Sequence, residues 1–287
     1  MTMIRTFTGE KPATKLPKGT IDSHMHMYLA GFPAIAGGPP LPAGDLPGPD
    51  EYRKVMEWLG IDRVVITQGN AHQADNSNVL AALAEMGDIA RGVAVINSTT
   101  SEAEIARLAD AGVVGTRLMD LPGGAVGMDE LEAVDSRAAD ANWVSVVQFD
   151  GNRICDLEPR LAKMKSRWVL DHHGKFFAGA TEADVAAMKR LIDGGNCWLK
   201  FCGCYESSLS GAPNFEDIGK IARDMAAHAP ERIIWGTNWP HNGAKTTEDY
   251  PDDRALTDTV LSWLPSDEAR HKVLVETPEA LFGFPPM

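Results

Sequence analysis

The feature that most constrains this chain is a unit that recurs eight times: a short apolar, β-branched run followed by an amphipathic segment. The runs fall at residues 19–27, 63–70, 91–97, 113–120, 143–150, 167–174, 196–204 and 232–241. Continuous apolar runs of this length suit parallel strands buried on both faces. The amphipathic segments lie at 49–59, 76–86, 101–111, 129–141, 156–164, 181–193, 215–228, 252–264 and 267–282. Ser101 followed by Glu104 gives one of them a capping-box start. Eight alternations predict an α/β fold closed as a (β/α)8 TIM barrel. The alternative is an open, doubly wound sheet, which usually carries a Gly-rich phosphate turn after an early strand. Here the first strand ends in Asp22-Ser23-His24-Met25-His26 instead.

The 287 residues suit a single barrel domain over 1–287, with an irregular arm at 1–18. A Gly- and Pro-rich loop at 29–49 falls at the barrel mouth, as a lid or as a passive excursion. A net charge of −13 argues against a nucleic-acid surface. It leaves room for an acidic small molecule held by a few local cations. No apolar run approaches a membrane span, and the arm lacks the apolar centre of a secretory signal. Four cysteines in a chain of this length read as free thiols in a cytoplasmic protein. The surface pattern neither demands nor excludes an oligomer.

Barrel active sites sit at the C-terminal ends of the strands. The first strand ends in His24 and His26, which alternation puts on one face. Buried imidazoles each need a polar partner, so the pair suits a site better than a core. The second run ends in Gln68 and Asn70, followed by His72; the fourth carries Arg117. The sixth ends in Asp171-His172-His173-Gly174. The seventh carries Lys200, Cys202, Cys204 and Tyr205, and the eighth ends in Trp235-Gly236-Thr237-Asn238-Trp239-Pro240-His241. Six strands presenting polar groups at the same end mark an active site. Arg117 can grip a carboxylate with two parallel hydrogen bonds, and Lys200 can add a point charge. For each, an internal salt bridge is the competing reading. His173, His228 and His271 read as structural or exposed. Cys197, Cys202 and Cys204 lack the paired spacing of a structural zinc site.

Three of these stretches, Asp22 to His26, Leu170-Asp171-His172 and Trp235 to His241, resemble the amidohydrolase superfamily. They look most like its branch that includes 2-pyrone-4,6-dicarboxylate lactonase, to which Gln68…His72…Asp75-Asn76 is also similar. The resemblance runs from about Lys18 to Phe284. It implies an amidohydrolase-like barrel acting on a small acidic lactone. With the strand-end reading, it makes His24, His26, His172 and Asn238 the catalytic candidates. Arg117, His72, Lys200, Gln68, Asn70, Tyr205 and His241 are the candidates for holding substrate.

The chain departs from the family pattern at Asn238, where members that hydrolyse carry an Asp that activates water. An amide cannot take up that proton. The metal-binding pattern is also depleted, with Arg117 on the fourth strand, Gln148 and no His on the fifth, and a neutral amide on the eighth. No catalytic metal and no cofactor are expected, and the lactonase branch is similar in needing no metal. Without a base for water, a hydroxyl of the same substrate is the better nucleophile, with an effective molarity of roughly 10⁵ M or more. The expected reaction is isomerisation of a sugar-diacid lactone: a neighbouring hydroxyl closes a new ring and the old ring oxygen leaves. A histidine, with its ordinary pKa of about 6.5, would carry the proton, His172 and His24 being the candidates. The alternatives are hydrolysis of a dicarboxylate lactone, a metal-dependent amidohydrolase or decarboxylase, and a sugar-acid-binding barrel without chemistry.

Overall fold

The computed structural model describes Arg5 and residues 10–287, so residues 1–4 and 6–9 of the expected arm lie outside the described residues. Eight parallel strands run in chain order around one sheet. They are β1 (Ile21–Met25), β2 (Arg63–Thr67), β3 (Ala90–Ala94), β4 (Val113–Asp120), β5 (Val144–Phe149), β6 (Arg167–Leu170), β7 (Cys197–Phe201) and β8 (Ile233–Trp235). The ends meet just beyond the strands. His26 N–H donates to Trp239 O at 2.8 Å, and Asn238 N–H donates to His24 O at 2.9 Å. Asp22 reinforces this closure: its carboxylate accepts from the backbone N–H groups of His24 and Thr237 and from the hydroxyls of Thr237 and Tyr52. The first residue of the Asp22-to-His26 stretch is therefore a fastener, and the histidines are what it presents.

Alternation along the strands builds two apolar layers. Val64 and Ile66 of β2 pack outward under the helices, while Val65 packs inward with Ile21, Val93, Val144, Val146, Val169 and Ile234. Leu281, Phe282 and Phe284 join that inner layer and plug the barrel floor. Above it the interior turns polar, with Thr67, Gln148, Asp171 and Lys200 all buried.

The outer ring consists of α1 (Pro49–Leu59), α2 (Ser77–Met86), α3 (Glu102–Asp110), α4 (Leu131–Asp140), α5 (Ile154–Leu161), α6 (Glu182–Asp193), α7 (Glu216–His228), α8 (Asp253–Ser262) and α9 (Asp267–His271), and α10 (Thr277–Phe282) lies under the barrel floor. The segment expected as one helix over 267–282 is interrupted by a π-helical turn, Lys272–Glu276. Pro278 has no N–H to offer the regular ladder, and Thr277 N–H reaches back to Lys272 O. At Ser101 only half of the expected capping box forms: its hydroxyl accepts from Glu104 N–H, but the Glu104 carboxylate is engaged by Arg107. The full box forms at Thr181 with Asp184.

The strands are shorter than the apolar runs, most of all at β6 and β8. Beyond them the backbone turns left-handed, with φ of 50° at His172, 55° at His173, 63° at Asn238 and 55° at His241. A strand cannot continue through such residues. The turns bring His172 and Asn238 to the barrel mouth, while His173 packs against Phe201 and Trp263 and His241 against Asp253.

Candidate active site

A cavity of about 140 Å³ opens at the C-terminal ends of the strands. Its wall is His26, Tyr28, Pro39, Pro40, Asn70, Arg117, Met119, Gln148, His172, Lys175, Glu206, Asn238, Asn242 and Lys245. A larger groove of about 530 Å³ between α6 and α7 holds no histidine or arginine. The chemistry-bearing groups converge on the smaller cavity.

Arg117 is 5% exposed and has no carboxylate partner among the described residues. Its Nη1 donates to Gln68 O and Asn70 Oδ1, both at 3.2 Å, and its Nη2 to Gln148 Oε1 at 3.1 Å. Its Nε has no partner among the described residues. A guanidinium held this deep by neutral acceptors keeps its charge uncompensated and can receive an anion. Lys245 stands exposed at the rim of the same cavity.

His26 donates from Nδ1 to Thr67 O at 2.8 Å, which leaves an Nε2 lone pair in the neutral ring. Burial, then the Arg117 charge, pulls its pKa down to about 3. His24 lies deeper, with ring centroids 4.9 Å from His26 and 5.0 Å from His172. Lys200 lies beneath the cavity rather than in its wall, fully buried, with Nζ 3.0 Å from Asp171 Oδ1 and 2.9 Å from His24 Nδ1. Burial pushes the Asp171 carboxyl up, but Lys200, His172 and His24 together hold it well below the ordinary carboxylate range. His24 is held well below the ordinary histidine range by burial and by the Lys200 charge. Of the two readings for Lys200, the internal ion pair is the one the geometry realises.

The opposite wall centres on Asn238. Its Nδ2 donates to Glu206 Oε1 and to Tyr205 Oη, each at 2.8 Å, and its Oδ1 lies 3.3 Å from His172 Nε2. A carboxylate can only accept, so Glu206 fixes which end of the amide is nitrogen. His172 Nδ1 faces Asp171 Oδ1 at 3.1 Å, and its Nε2 is 3.8 Å from Glu206 Oε2. Lys175 pairs with Glu206. Burial raises the Glu206 carboxyl, but the charges of His172 and Lys175 outweigh it and bring it down to about 2. Gly203 permits this crowding: a Cβ there would lie 2.8 Å from His172 Cδ2 and 3.0 Å from Asn238 Nδ2.

The structure thus brings His26, His172, Asn238, Arg117 and Asn70 to one cavity, with His24 directly beneath. Gln68, His72, Tyr205 and His241 do not line it. Gln68 Nε2 donates to Gln73 O and Asp75 O, shaping the turn after β2. His72 donates to Pro33 O, and Ile35 N–H donates to Ala71 O, so this turn pins the 29–49 loop, whose Pro39 and Pro40 roof the cavity. Glu206, Lys175 and Lys245 escaped the strand-end reading. They sit on turns, where period-two alternation gives no signal.

The resemblance to metal-binding barrels raises the question of an ion. Donor atoms of His24, His172 and Cys202 lie within 4.8 Å of one another. Lys200 donates to His24 Nδ1, so the neutral ring carries its proton on Nε2, the nitrogen an ion would need. Burial and then Asp171 push the Cys202 thiol well above its ordinary value. A dication would have to move the His24 proton onto Nδ1, against the Lys200 amino group, and remove the thiol proton. The set does not fit a catalytic divalent metal.

The family described as Amidohydrolase matches residues 21–284. The chain is 55% identical to a D-galactarolactone isomerase of Agrobacterium fabrum, over 99% of this chain and 98% of that one. It is 31% identical to a 2-pyrone-4,6-dicarboxylate hydrolase of Comamonas testosteroni, over 95% of this chain and 92% of that one. An apo crystal structure from Agrobacterium tumefaciens, 55% identical, matches with a TM-score of 0.96 over 99% of this chain and 100% of that one.

Proposed function

The chain belongs to the amidohydrolase family, and within it we propose a lactone isomerase that converts D-galactaro-1,5-lactone to the 1,4-lactone in the breakdown of sugar acids such as galacturonate. The observation that carries this reading is Asn238, a neutral amide locked against Glu206 and His172 where a hydrolase needs a base. Glu206, at about 2, is too acidic to activate water efficiently near neutral pH. A substrate hydroxyl held against its own ring carbonyl needs less help.

In this reaction the free carboxylate docks on Arg117 and the ring carbonyl accepts from His172. The 4-hydroxyl attacks C1, the C1–O5 bond breaks, and the proton lost by O4 ends on O5. These oxygens sit on adjacent carbons, so one group can take the proton from the first and return it to the second. His26, with its Nε2 lone pair at the cavity, is placed for that transfer. A substrate carboxylate on Arg117 offsets one of the two main causes that depress His26, restoring part of its basicity. His24 supports both rings from below. The reaction as proposed needs no metal. The four free cysteines suit a reducing cytoplasm.

The test is to add protein to fresh galactaro-1,5-lactone in ¹⁸O-water and follow products by NMR and mass spectrometry. The expected product is 1,4-lactone without ¹⁸O. Labelled diacid as the main product would transfer the reading to hydrolysis.

A further inference from the structure

Behind Asn238 lies a hydrogen-bonded chain that the reaction above does not use. Its closed end is Asp253, at the start of α8 and 2% exposed. Asp253 Oδ1 lies 2.9 Å from His241 Nε2, and since a carboxylate only accepts, His241 carries its proton there. In the neutral ring Nδ1 is then a lone pair, which accepts a hydrogen bond from the Tyr205 hydroxyl at 2.7 Å. The Tyr205 oxygen is left to accept from Asn238 Nδ2 at 2.8 Å. Every bond points one way, from amide to phenol to imidazole to carboxylate. With Glu206 taking the other Nδ2 hydrogen, the amide nitrogen is saturated and Oδ1 has one direction left, toward His172 Nε2.

We infer that Asp253, His241 and Tyr205 are positioning residues that fix the Asn238 amide and, through it, keep an N–H at His172 Nε2 shared between Asn238 Oδ1 and the carbonyl of the reacting lactone, while Nδ1 faces Asp171. Burial and the neighbouring Glu206 charge keep the Tyr205 phenol well above its ordinary range, so it remains a donor throughout. Replacing Asp253 by Asn removes the obligate acceptor. His241 can then reverse its tautomer, and the Tyr205 hydroxyl is driven against the Asn238 N–H. The kinetic consequence rests on the proposed isomerisation; the proton at His172 Nε2 does not.

The experiment uses Asp253→Asn and Tyr205→Phe in the full chain. Long-range ¹H–¹⁵N NMR of ligand-free protein reads the nitrogens of His172, assigned by its loss in His172→Gln. The parent should show a proton on Nε2, and both variants should shift that pattern. Both should lower kcat about tenfold, the scale of one lost hydrogen bond, with KM within about twofold because no cavity wall residue changes. Tyr205→Phe removes one oxygen and no buried charge, so it decides the question alone if Asp253→Asn does not fold. Parent-like His172 nitrogens in Tyr205→Phe would overturn the inference. So would a raised KM at unchanged kcat, which would make Tyr205 a binding residue. If the parent converts no lactone, the proposed function fails while the NMR comparison still decides the chain.

Discussion

Asn238 Nδ2 lies 2.8 Å from Glu206 Oε1, so the amide stands where a carboxylate would face another carboxylate. Asn238→Asp creates that pair. Two carboxylates this close cannot ionise independently, and one is driven to a higher pKa than Glu206 now has. It becomes the base that water lacks in the parent. General-base assistance is commonly worth about 10² or more, so release of ¹⁸O-labelled diacid should rise at least about tenfold while isomerisation falls. No increase in labelled diacid would mean that residue 238 does not set the choice between hydroxyl and water.

Arg117 tests how the substrate is held. Its neutral partners leave its charge for the ligand. Losing a bidentate charge-assisted contact costs about 1.5–3 kcal/mol, roughly a ten- to hundredfold rise in KM for Arg117→Met. Arg117→Lys should recover only part, because a point charge cannot reproduce the fork. An unchanged KM in Arg117→Met would move the carboxylate elsewhere, Lys245 being the first alternative.

The strands were legible because β-branched runs buried on both faces leave a continuous apolar signature, as in Arg63–Thr67. Their ends were not. After Leu170 and Trp235 the chain turns through left-handed residues that no periodicity announces. Arg117, His26, His172 and Asn238 could be found because strand ends aim at the axis. Glu206 and Lys175 could not, since their pairing joins the turns after β7 and β6. Lys200 was ambiguous for a related reason: its partner, Asp171, belongs to the neighbouring strand's end, and neither residue alone shows whether the pair closes.

That buried pair predicts the fate of Lys200→Met. The substitution leaves Asp171 uncompensated at 0% side-chain exposure. Breaking such a pair from one side typically costs about 3–5 kcal/mol. The urea midpoint should fall sharply, and the double variant Lys200→Met with Asp171→Asn should recover part of the loss. A single variant as stable as the parent would show that His24 and His172 suffice to hold the carboxylate.

Acid should unfold the protein earlier than its carboxylates alone would require. His24, His26 and His173 are buried with lowered pKa values, about 3 for His26 and His173. Above pH 6.5 these rings are neutral whether the chain is folded or not, and their contribution to stability is complete. As the pH falls below 6.5, the unfolded chain protonates all three while the native rings resist, His26 and His173 until about pH 3, so stability drains away below pH 6.5. Asp22 acts in the opposite sense: burial raises it to about 6, so it protonates in the native state before it does in the unfolded one. Three histidines against one carboxyl leave the balance destabilising as the pH falls below 6.5. Urea midpoints at pH 7, 6 and 5 should therefore step downward. A flat profile across that range would mean that the buried histidines take up protons without unfolding.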